Sequence, residues 1–323
     1  MRFLVTGTAG FIGLNLADYL ESSGAEWIGV DRRIPGVERV ARRTRKFDLR
    51  SEVETLALVR EVTPDVIINL AARTDLAGKT VQDYEDNTLP LINLVTAQQS
   101  LPRRPFLVHA SSRLVFSPEN DPLGQWSYTP DTSYGESKVA SEWILRALTP
   151  QDWTIARPTS IWGPHFGVPY HGFFDAIRKG VYVSVRSVPV RKTMGYVGNT
   201  VQQLLALADE KHRDQVRGQA FFLGDEESVD LGQWAGMIAD EQKIRRPRRV
   251  PMSFLKSAAL VGTLAENLGV RRVPLTRFRL RNIYDSVEYD TMPIHSIAGR
   301  DDFSLAEGVS NTVEWLNQLG SES

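Results

Sequence analysis

Short apolar runs alternate with helical patterns through the first half of the chain. Six of these runs predict strands, at residues 3–5, 27–30, 46–49, 65–70, 106–110 and 153–156. Several are continuously apolar rather than alternating, which is typical of parallel strands that are buried on both faces. Strands that alternate with helices over residues 1–160 therefore predict an α/β fold with a doubly wound parallel sheet.

The pattern changes after residue 164, where glycine, proline and aromatic residues are mixed. A helix that begins at Phe173 and Phe174 is predicted there, and a helix at 84–100 is predicted in the first half. Further helices are predicted at 196–209, 231–241, 254–268 and 305–319, and a strand at 221–223. We therefore expect a first domain at 1–164 with returns from about 191–225, and a smaller, discontinuous substrate-binding lobe over most of 165–323.

Three glycines follow the first predicted strand at a regular spacing. Gly7, Gly10 and Gly13 lie between the strand at 3–5 and a helix with Leu16 and Leu20 on one face. Strand, glycine turn and helix are the context of a dinucleotide-binding turn, in which the backbone approaches a pyrophosphate at the helix start. The spacing therefore predicts a Rossmann-type nucleotide-binding domain.

Acidic residues follow the second and third predicted strands. Asp31 ends the strand at 27–30, where a carboxylate accepts hydrogen bonds from the adenosine ribose and repels a 2′-phosphate. NAD is therefore favoured over NADP, although Arg32 and Arg33 could hold such a phosphate. Asp48 is placed to contact adenine or to cap the helix that begins near Ser51, and both roles remain open.

A tyrosine and a lysine lie one helical turn apart in the middle of the chain. Tyr134 and Lys138 share one face of a predicted helix. A nearby ammonium group favours the phenolate, so Lys138 is expected to lower the pKa of Tyr134 towards neutral pH. Gly7, Asp31 and Tyr134 all fall at or beyond the carboxyl ends of predicted strands, where open α/β sheets bind their ligands. The pair is thus a candidate for proton transfer.

Composition narrows the class of protein further. The net charge is −1, with 38 basic and 39 acidic residues, which argues against a nucleic-acid-binding surface. Basic clusters at 42–46 and 245–249 are therefore predicted to be solvated. The chain has no cysteine, and neither a signal peptide nor a membrane span is predicted, since charges interrupt the run at 254–268. We expect a cytoplasmic protein.

With these motifs in their order, the chain resembles the extended short-chain dehydrogenases/reductases, within the nucleotide-sugar epimerase/dehydratase branch. The matching positions are residues 6–13, Asp31, Asp48, Leu49, residues 69–72, Asn87, residues 111–116, Tyr134, Lys138, and Arg157 with Pro158 through Pro164. The resemblance covers about half of the chain densely.

The resemblance implies roles at the matching positions. Tyr134 would be the catalytic acid and base, Lys138 would bind the nicotinamide ribose, and Ser112 would hold the reacting hydroxyl. The implied NAD contacts are Gly7, Gly10, Phe11, Ile12, Gly13, Asp31, Arg32, Asp48, Leu49, Leu70, Ala71, Ala72, Asn87, Tyr134 and Lys138. Asn87 would also support the active-site helix. The implied substrate contacts are Arg73, Ser112, Arg157, Thr159, Ser160, Phe173 and Lys192.

Two departures from the family pattern bear on the reaction. Arg113 and Leu114 stand where 4,6-dehydratases have an Asp-Glu pair, and leucine cannot transfer a proton, so dehydration is not expected. Ser160 replaces an asparagine that usually touches the nucleotide sugar. Lys192 is the candidate for gripping the diphosphate; alternatives are Arg271, Arg272, Arg277 and Arg279.

The sequence thus favours an NAD-dependent nucleotide-sugar epimerase that acts at C4 through a transient keto-sugar. A keto-sugar reductase or alcohol dehydrogenase of the same family would use the same residues. A dinucleotide-sensing protein without catalysis is a third reading, although it would not need Ser112, Tyr134 and Lys138. The substrate would be a nucleotide-diphosphate sugar, no metal site is predicted, and the family resemblance implies a homodimer.

Overall fold

The chain folds into two compact units. The computed structural model describes residues 1–117, 124–167, 170–186, 189–267, 280 and 286–321. Unit 1 comprises Met1–Ile161, Gly195–Glu226 and Asp290–Asp302, and unit 2 comprises Trp162–Met194, Glu227–Tyr289 and Phe303–Ser323. The sequence did not anticipate that the short segment 290–302 belongs to unit 1.

Strands and helices follow the predicted order closely. The strands are β1 (Arg2–Thr6), β2 (Glu26–Asp31), β3 (Thr44–Lys46), β4 (Val66–Asn69), β5 (Phe106–Ala110), β6 (Trp153–Pro158), β7 (Ser160–Trp162), β8 (Val183–Val185), β9 (Arg191–Lys192), β10 (Met194–Tyr196), β11 (Ala220–Leu223), β12 (Val229–Asp230) and β13 (Arg248–Val250). The α-helices are α1 (Phe11–Ser22), α2 (Glu38–Ala41), α3 (Glu52–Val62), α4 (Leu89–Gln99), α5 (Ser133–Leu148), α6 (Tyr170–Arg178), α7 (Val197–Ala208), α8 (Arg213–Val216), α9 (Leu231–Glu241), α10 (Met252–Asn267), α11 (Met292–Ala298) and α12 (Leu305–Ser321).

Unit 1 is built on a seven-stranded sheet in the order β11-β6-β5-β4-β1-β2-β3. Every neighbouring pair of strands in this sheet is parallel. Leu4 and Ile67 belong to the core on one face, whereas their neighbours Val5 and Ile68 belong to the core on the other. Since both faces are buried, the strands are continuously apolar. The predicted Rossmann-type α/β fold is confirmed.

Two predicted boundaries are wrong for local reasons. The strand at 46–49 ends at Lys46, and Ser51 begins the next helix by accepting a hydrogen bond from the backbone N–H of Glu54. The helix at 84–100 is instead a 3₁₀ helix over Val81–Asn87 followed by α4. Pro90 explains this break, because proline fits the first turn of a helix, whereas inside one long helix its ring would clash with the carbonyl group four residues earlier.

Unit 2 has an aromatic core and two small sheets. Trp162, Phe174 and Trp234 are buried together, and Phe173 lies in the middle of α6 rather than at its start. Strands β12 and β9 pair antiparallel, and β13 and β8 pair parallel. Among the described residues, no helix is both long and apolar enough to cross a bilayer.

A buried carboxyl group anchors the start of α7 within unit 1. Asp225 follows β11 and accepts hydrogen bonds from the backbone N–H of Tyr196, at 3.0 Å, and from the Asn199 side chain, at 2.9 Å. Burial raises the pKa of Asp225 to about 7, and the neighbouring carboxylate of Asp301 adds to this shift. Asp225 therefore exchanges its proton close to neutral pH.

This shift predicts a pH-dependent stability. Between pH 4 and 7 the folded protein holds a proton on Asp225 that the unfolded chain has lost, so stability from this group falls as pH rises. Asp225→Asn mimics the protonated acid and should remove this part of the decline, roughly 2–4 kcal/mol. Urea unfolding at several pH values measures it, with exposed Asp214→Asn as the control. Parallel pH profiles for wild type and Asp225→Asn would contradict the shift.

Candidate active site

The glycine turn after β1 brings three backbone segments together. Gly7 has a φ of +76°, and a Cβ atom there would lie 2.7 Å from the backbone N of Ala71 and the carbonyl carbon of Leu70. A Cβ atom at Gly13 would lie 2.1 Å from the carbonyl oxygen of Gly7. Helix α1 begins at Phe11 without a side-chain cap. The turn thus leaves its backbone close to the helix start, as a pyrophosphate requires.

Asp31 lies beside this turn, as predicted. Its carboxylate accepts hydrogen bonds from the backbone N–H groups of Ala9, at 3.0 Å, and Arg33, at 2.9 Å. Arg32 pairs with Asp86 at 2.9 Å. The guanidinium of Arg32 therefore already has a carboxylate partner, which favours NAD over a cofactor that carries a 2′-phosphate.

Asp48 and Leu49 lie on the loop between β3 and α3. Asp48 is paired with Arg50 at 2.6 Å, and the hydrogen bonds from Arg50 lower the pKa of Asp48. The alternative that Asp48 caps α3 is wrong, because Ser51 holds that position. The side chain of Asp48 stays partly exposed, and its contact with adenine remains a prediction.

Tyr134, Lys138 and Ser112 are brought together by the first turns of α5. The Tyr134 side chain is only 7% exposed and lies close enough to the Ser112 side chain for Ser112 to act on its pKa. The Nζ atom of Lys138 lies 6.0 Å from the centre of the Tyr134 ring and donates to the carbonyl oxygen of Ala110 at 2.9 Å. A Cβ atom at Gly135 would lie 2.2 Å from the carbonyl oxygen of Leu114. Glycine therefore lets α5 approach the segment that carries Ser112.

Burial, rather than the ammonium group, dominates the proton affinity of these side chains. Burial raises the pKa of Tyr134 to about 12, although the nearby Ser112 side chain opposes the shift. Burial also lowers the pKa of Lys138 to about 8. Lys138 is not among the causes of this shift in the protein without its ligands, so its effect on the pKa of Tyr134 beside a cationic nicotinamide ring stays a prediction. Lys138 is itself weakened as a cation and directs its N–H towards Ala110.

A row of buried polar side chains crosses the sheet behind Lys138. Thr6, Asn69 and His109 are register partners on β1, β4 and β5. Thr6 donates to Asn69 Oδ1 at 2.6 Å, and Asn69 Nδ2 donates to His109 Nδ1 at 3.1 Å. The Nε2 atom of His109 then faces Ser141 Oγ at 3.0 Å. Ser141 donates to the carbonyl oxygen of Lys138 at 2.8 Å, so the row ends at the active-site helix.

The direction of this row determines the protonation of His109. Because Asn69 Nδ2 can only donate, His109 Nδ1 accepts and Nε2 carries the hydrogen. Burial keeps the pKa of His109 well below its ordinary value, with Lys138 as a second cause. His109 is therefore neutral. Thr6, Asn69 and His109 each lie near the end of an apolar strand, a local pattern that does not identify the partner on the next strand.

Asn87 supports α5, as the family resemblance implied. Its Nδ2 atom donates to Ser137 Oγ at 2.9 Å and its Oδ1 atom accepts from the backbone N–H of Arg73 at 2.7 Å. The guanidinium of Arg73 pairs with Asp75 at 2.8 Å. The predicted substrate contact of Arg73 therefore competes with an existing ion pair and remains a prediction.

Arg157 has a structural role instead of the predicted contact with substrate. Its side chain is 1% exposed and forms an ion pair with Glu142, which is fully buried, at 2.6 Å. Glu142 also accepts from Tyr128, at 2.8 Å, and from Ser111, at 2.5 Å. Arg157 further donates to the carbonyl oxygen of Gln125 at 2.7 Å. The guanidinium thus fixes α5 and the segment at 125–128 to the end of β6.

The other residues predicted to contact the substrate belong to both units. Thr159 donates to the carbonyl oxygen of Leu223 at 2.8 Å, and Ser160 is a half-buried residue of β7. In unit 2, Phe173 stacks on Trp234 with ring centres 4.8 Å apart, and Lys192 is a half-buried residue of β9. Their contacts with substrate remain predictions. The alternative phosphate ligands Arg271, Arg272, Arg277 and Arg279 lie outside the described residues.

The sequence is similar to a known protein family and to known proteins. The sequence model of the NAD dependent epimerase/dehydratase family matches residues 3–210. The 3 beta-hydroxysteroid dehydrogenase/Delta 5→4-isomerase of Mycobacterium tuberculosis is 27% identical over 265 residues, which cover 76% of this chain and 71% of that protein.

Two solved epimerases have the same fold. UDP-glucose 4-epimerase of Thermotoga maritima, with UDP-glucose, has a TM-score of 0.72 at 19% identity. UDP-glucuronic acid 4-epimerase of Bacillus cereus, with NAD, has a TM-score of 0.73 at 16% identity. Each likeness covers 99% of both chains.

The fold and the glycine turn define the class of protein. It is an enzyme that uses a dinucleotide cofactor. Because the family match spans well over half of the sequence, the chain belongs to the NAD dependent epimerase/dehydratase family. Its cofactor is NAD, which the uncapped start of α1 after the glycine turn and the carboxylate of Asp31 fit. The predicted membership of the extended short-chain dehydrogenases/reductases is confirmed.

The assignment of Arg157 generates a stability prediction. Glu142→Ala leaves a buried guanidinium without its carboxylate, which should lower the free energy of unfolding by about 3–5 kcal/mol. Glu61→Ala breaks the exposed pair with Arg45 and should leave the free energy of unfolding nearly unchanged, because solvent screens that pair. Denaturant unfolding compares the two variants. Equal losses would show that the Glu142–Arg157 pair is not a structural anchor.

Proposed function

We propose that the protein is an NAD-dependent epimerase that inverts the C4 hydroxyl of a nucleotide-diphosphate sugar. The observation that carries this proposal is the grouping of buried Tyr134, Ser112 and Lys138, in which the Nζ atom of Lys138 lies 6.0 Å from the centre of the Tyr134 ring. A phenol and a hydroxyl that lie close together can hold one alcohol group of a substrate. The similarity to two sugar-nucleotide 4-epimerase structures supports the choice of substrate class.

The roles of the side chains follow from their positions. Tyr134 would take the hydroxyl proton at its phenolic oxygen and later return it, and Ser112 would hold that hydroxyl through Oγ. The glycine turn and Asp31 would hold NAD, which would supply the reversible hydride chemistry at the sugar carbon. Because the pKa of Tyr134 is raised to about 12, the phenol needs further positive charge nearby before it can act as a base. Lys138, with a pKa of about 8, can supply part of that charge.

Residues 113 and 114 separate this reaction from dehydration. Arg113 and Leu114 form a short 3₁₀ helix with Val115, directly after Ser112. Neither side chain supplies the carboxyl group that a dehydratase uses at these positions, and leucine has no proton to transfer. Removal and return of a single hydroxyl proton therefore suits the site better than elimination of water.

A second candidate is a net alcohol oxidation. The similarity to the steroid dehydrogenase/isomerase of Mycobacterium tuberculosis favours it. Tyr134, Lys138 and Ser112 would serve in the same way. The two functions differ in what happens to the reduced cofactor, since an epimerase regenerates NAD in each cycle and a dehydrogenase releases NADH.

A homodimer is part of the proposal. Helix α5 exposes Trp143 by 56% and Leu148 by 46%, and the family resemblance implies a dimer through α5 and the helix before it. Light scattering of the purified protein measures the mass. A monomer would remove this part of the proposal without affecting the catalytic assignment.

The test of function uses UDP-, dTDP-, GDP- and CDP-sugars without added cofactor. We expect one sugar to be epimerised, and Tyr134→Phe to lower kcat by about 10²–10⁴ while NAD binding is retained. Tyr19→Phe, which alters an exposed tyrosine of α1, is the matched control. Stoichiometric NADH production from an alcohol would favour the second candidate. A Tyr134→Phe variant of undiminished activity would contradict both.

A further inference from the structure

The segment 243–261 carries an unusual concentration of positive charge. It contains no aspartate or glutamate, whereas the whole chain has 39 acidic and 38 basic residues. Its cations are Lys243, Arg245, Arg246, Arg248, Arg249 and Lys256. All six of these residues are exposed. The charge therefore forms a local basic surface on a chain that is otherwise balanced.

Most of these cations have no carboxylate beside them. Arg246 pairs with Asp240. Within residues 189–267 and the other described parts of the chain, no ion pair involves Arg245, Arg248 or Arg249. Arg248 and Arg249 are fixed by the backbone pairing of β13 with β8. The arrangement thus presents free guanidinium groups from a defined strand.

Helix α10, which follows β13, is apolar on two sides. Leu255 and Ala259 are buried against Val183, Val185 and Val250. On the other side, Phe254 is 62%, Leu260 41% and Val261 67% exposed. Phe254 and Val261 are seven positions apart and therefore lie on the same side of the helix. We call the exposed side chains of Phe254, Leu260 and Val261, together with the six cations of 243–261, the basic–apolar surface.

We propose that the basic–apolar surface binds an anionic phospholipid bilayer. The exposed cations of 243–261 would attract the anionic headgroups through their summed charge, and Phe254 and Val261, which share one side of α10, would enter the boundary between headgroups and acyl chains. Helix α10 has 16 residues, a length of ~24 Å, which is shorter than the hydrocarbon core of a bilayer. It would therefore lie in the surface of the membrane and bind reversibly.

Other occupants would use only part of this surface. A second copy of the chain, seated across a twofold axis, would bring the six cations against their own equivalents. Nucleic acid or a free nucleotide would contact the arginines but would leave Phe254 and Val261 in water. An anionic bilayer is complementary to both the charge and the apolar side chains.

The test is co-sedimentation of the full-length protein with vesicles. We expect binding to vesicles of equimolar phosphatidylglycerol and phosphatidylcholine, no binding to phosphatidylcholine alone, and release at ~0.5 M NaCl. Phe254→Ser with Val261→Ser, and separately Arg248→Gln with Arg249→Gln, should each lower the bound fraction about tenfold. Val53→Ser, at a 79% exposed position of α3 in unit 1, should bind like the wild type.

Folding of each variant is checked by circular dichroism and NAD affinity. Should the serine variant fail to fold, Phe254→Trp keeps the apolar surface, and bromolipids should quench its added fluorescence. No binding of the wild type to anionic vesicles would overturn the proposal. The proposal would also be overturned if the arginine variant lost binding while the serine variant kept it, because that result indicates a phosphate site. It would likewise be overturned if both variants bound vesicles like the wild type while the oligomer dissociated, because that result indicates a self-interface.

Discussion

Helix α5 buries polar side chains on the face that a helix packed against a sheet usually fills with apolar ones. Each of these polar side chains needs a hydrogen-bond or ion-pair partner in the structure around it. Ser137, Lys138, Ser141 and Glu142 are at most 2% exposed, and they share one helical face. Their partners are Asn87, the carbonyl oxygen of Ala110, His109 and Arg157. Because an unsatisfied buried polar group costs about 1–3 kcal/mol, these contacts specify one position for α5. The placement of Tyr134 depends on that position.

The same burial explains the electrostatics of the site. Removing water from Tyr134 and Lys138 disfavours the charged form of both, so the phenol holds its proton and the ammonium gives it up more easily. The chain alone therefore keeps the pair closer to neutral than a solvated phenol and amine would be. Positive charge that enters with ligands would act in a medium with little screening, where its effect on Tyr134 is large.

Local patterns predicted the sheet, the glycine turn and the neighbourhood of Tyr134, Lys138 and Ser112, because strand ends and turns depend on adjacent residues. Asn69, His109 and Glu142 were missed, since their partners lie far away in sequence and nothing local distinguishes a buried polar residue from an exposed one. Arg157 was misjudged for a related reason. An arginine at a strand end suits a phosphate and a buried carboxylate equally well, and only the position of Glu142 decides between them.

The polar row from Thr6 to Ser141 also restricts how the sequence can change. Each member gives a hydrogen on one side and receives one on the other, so all the bonds point the same way. A substitution that interchanges the donor atom and the acceptor atom of one member would place two donors, or two acceptors, against each other. Substitutions of Asn69 and His109 are therefore interdependent although the residues are 40 positions apart. The hydrogen bonds of the row therefore couple the energetic effects of substitutions at its members.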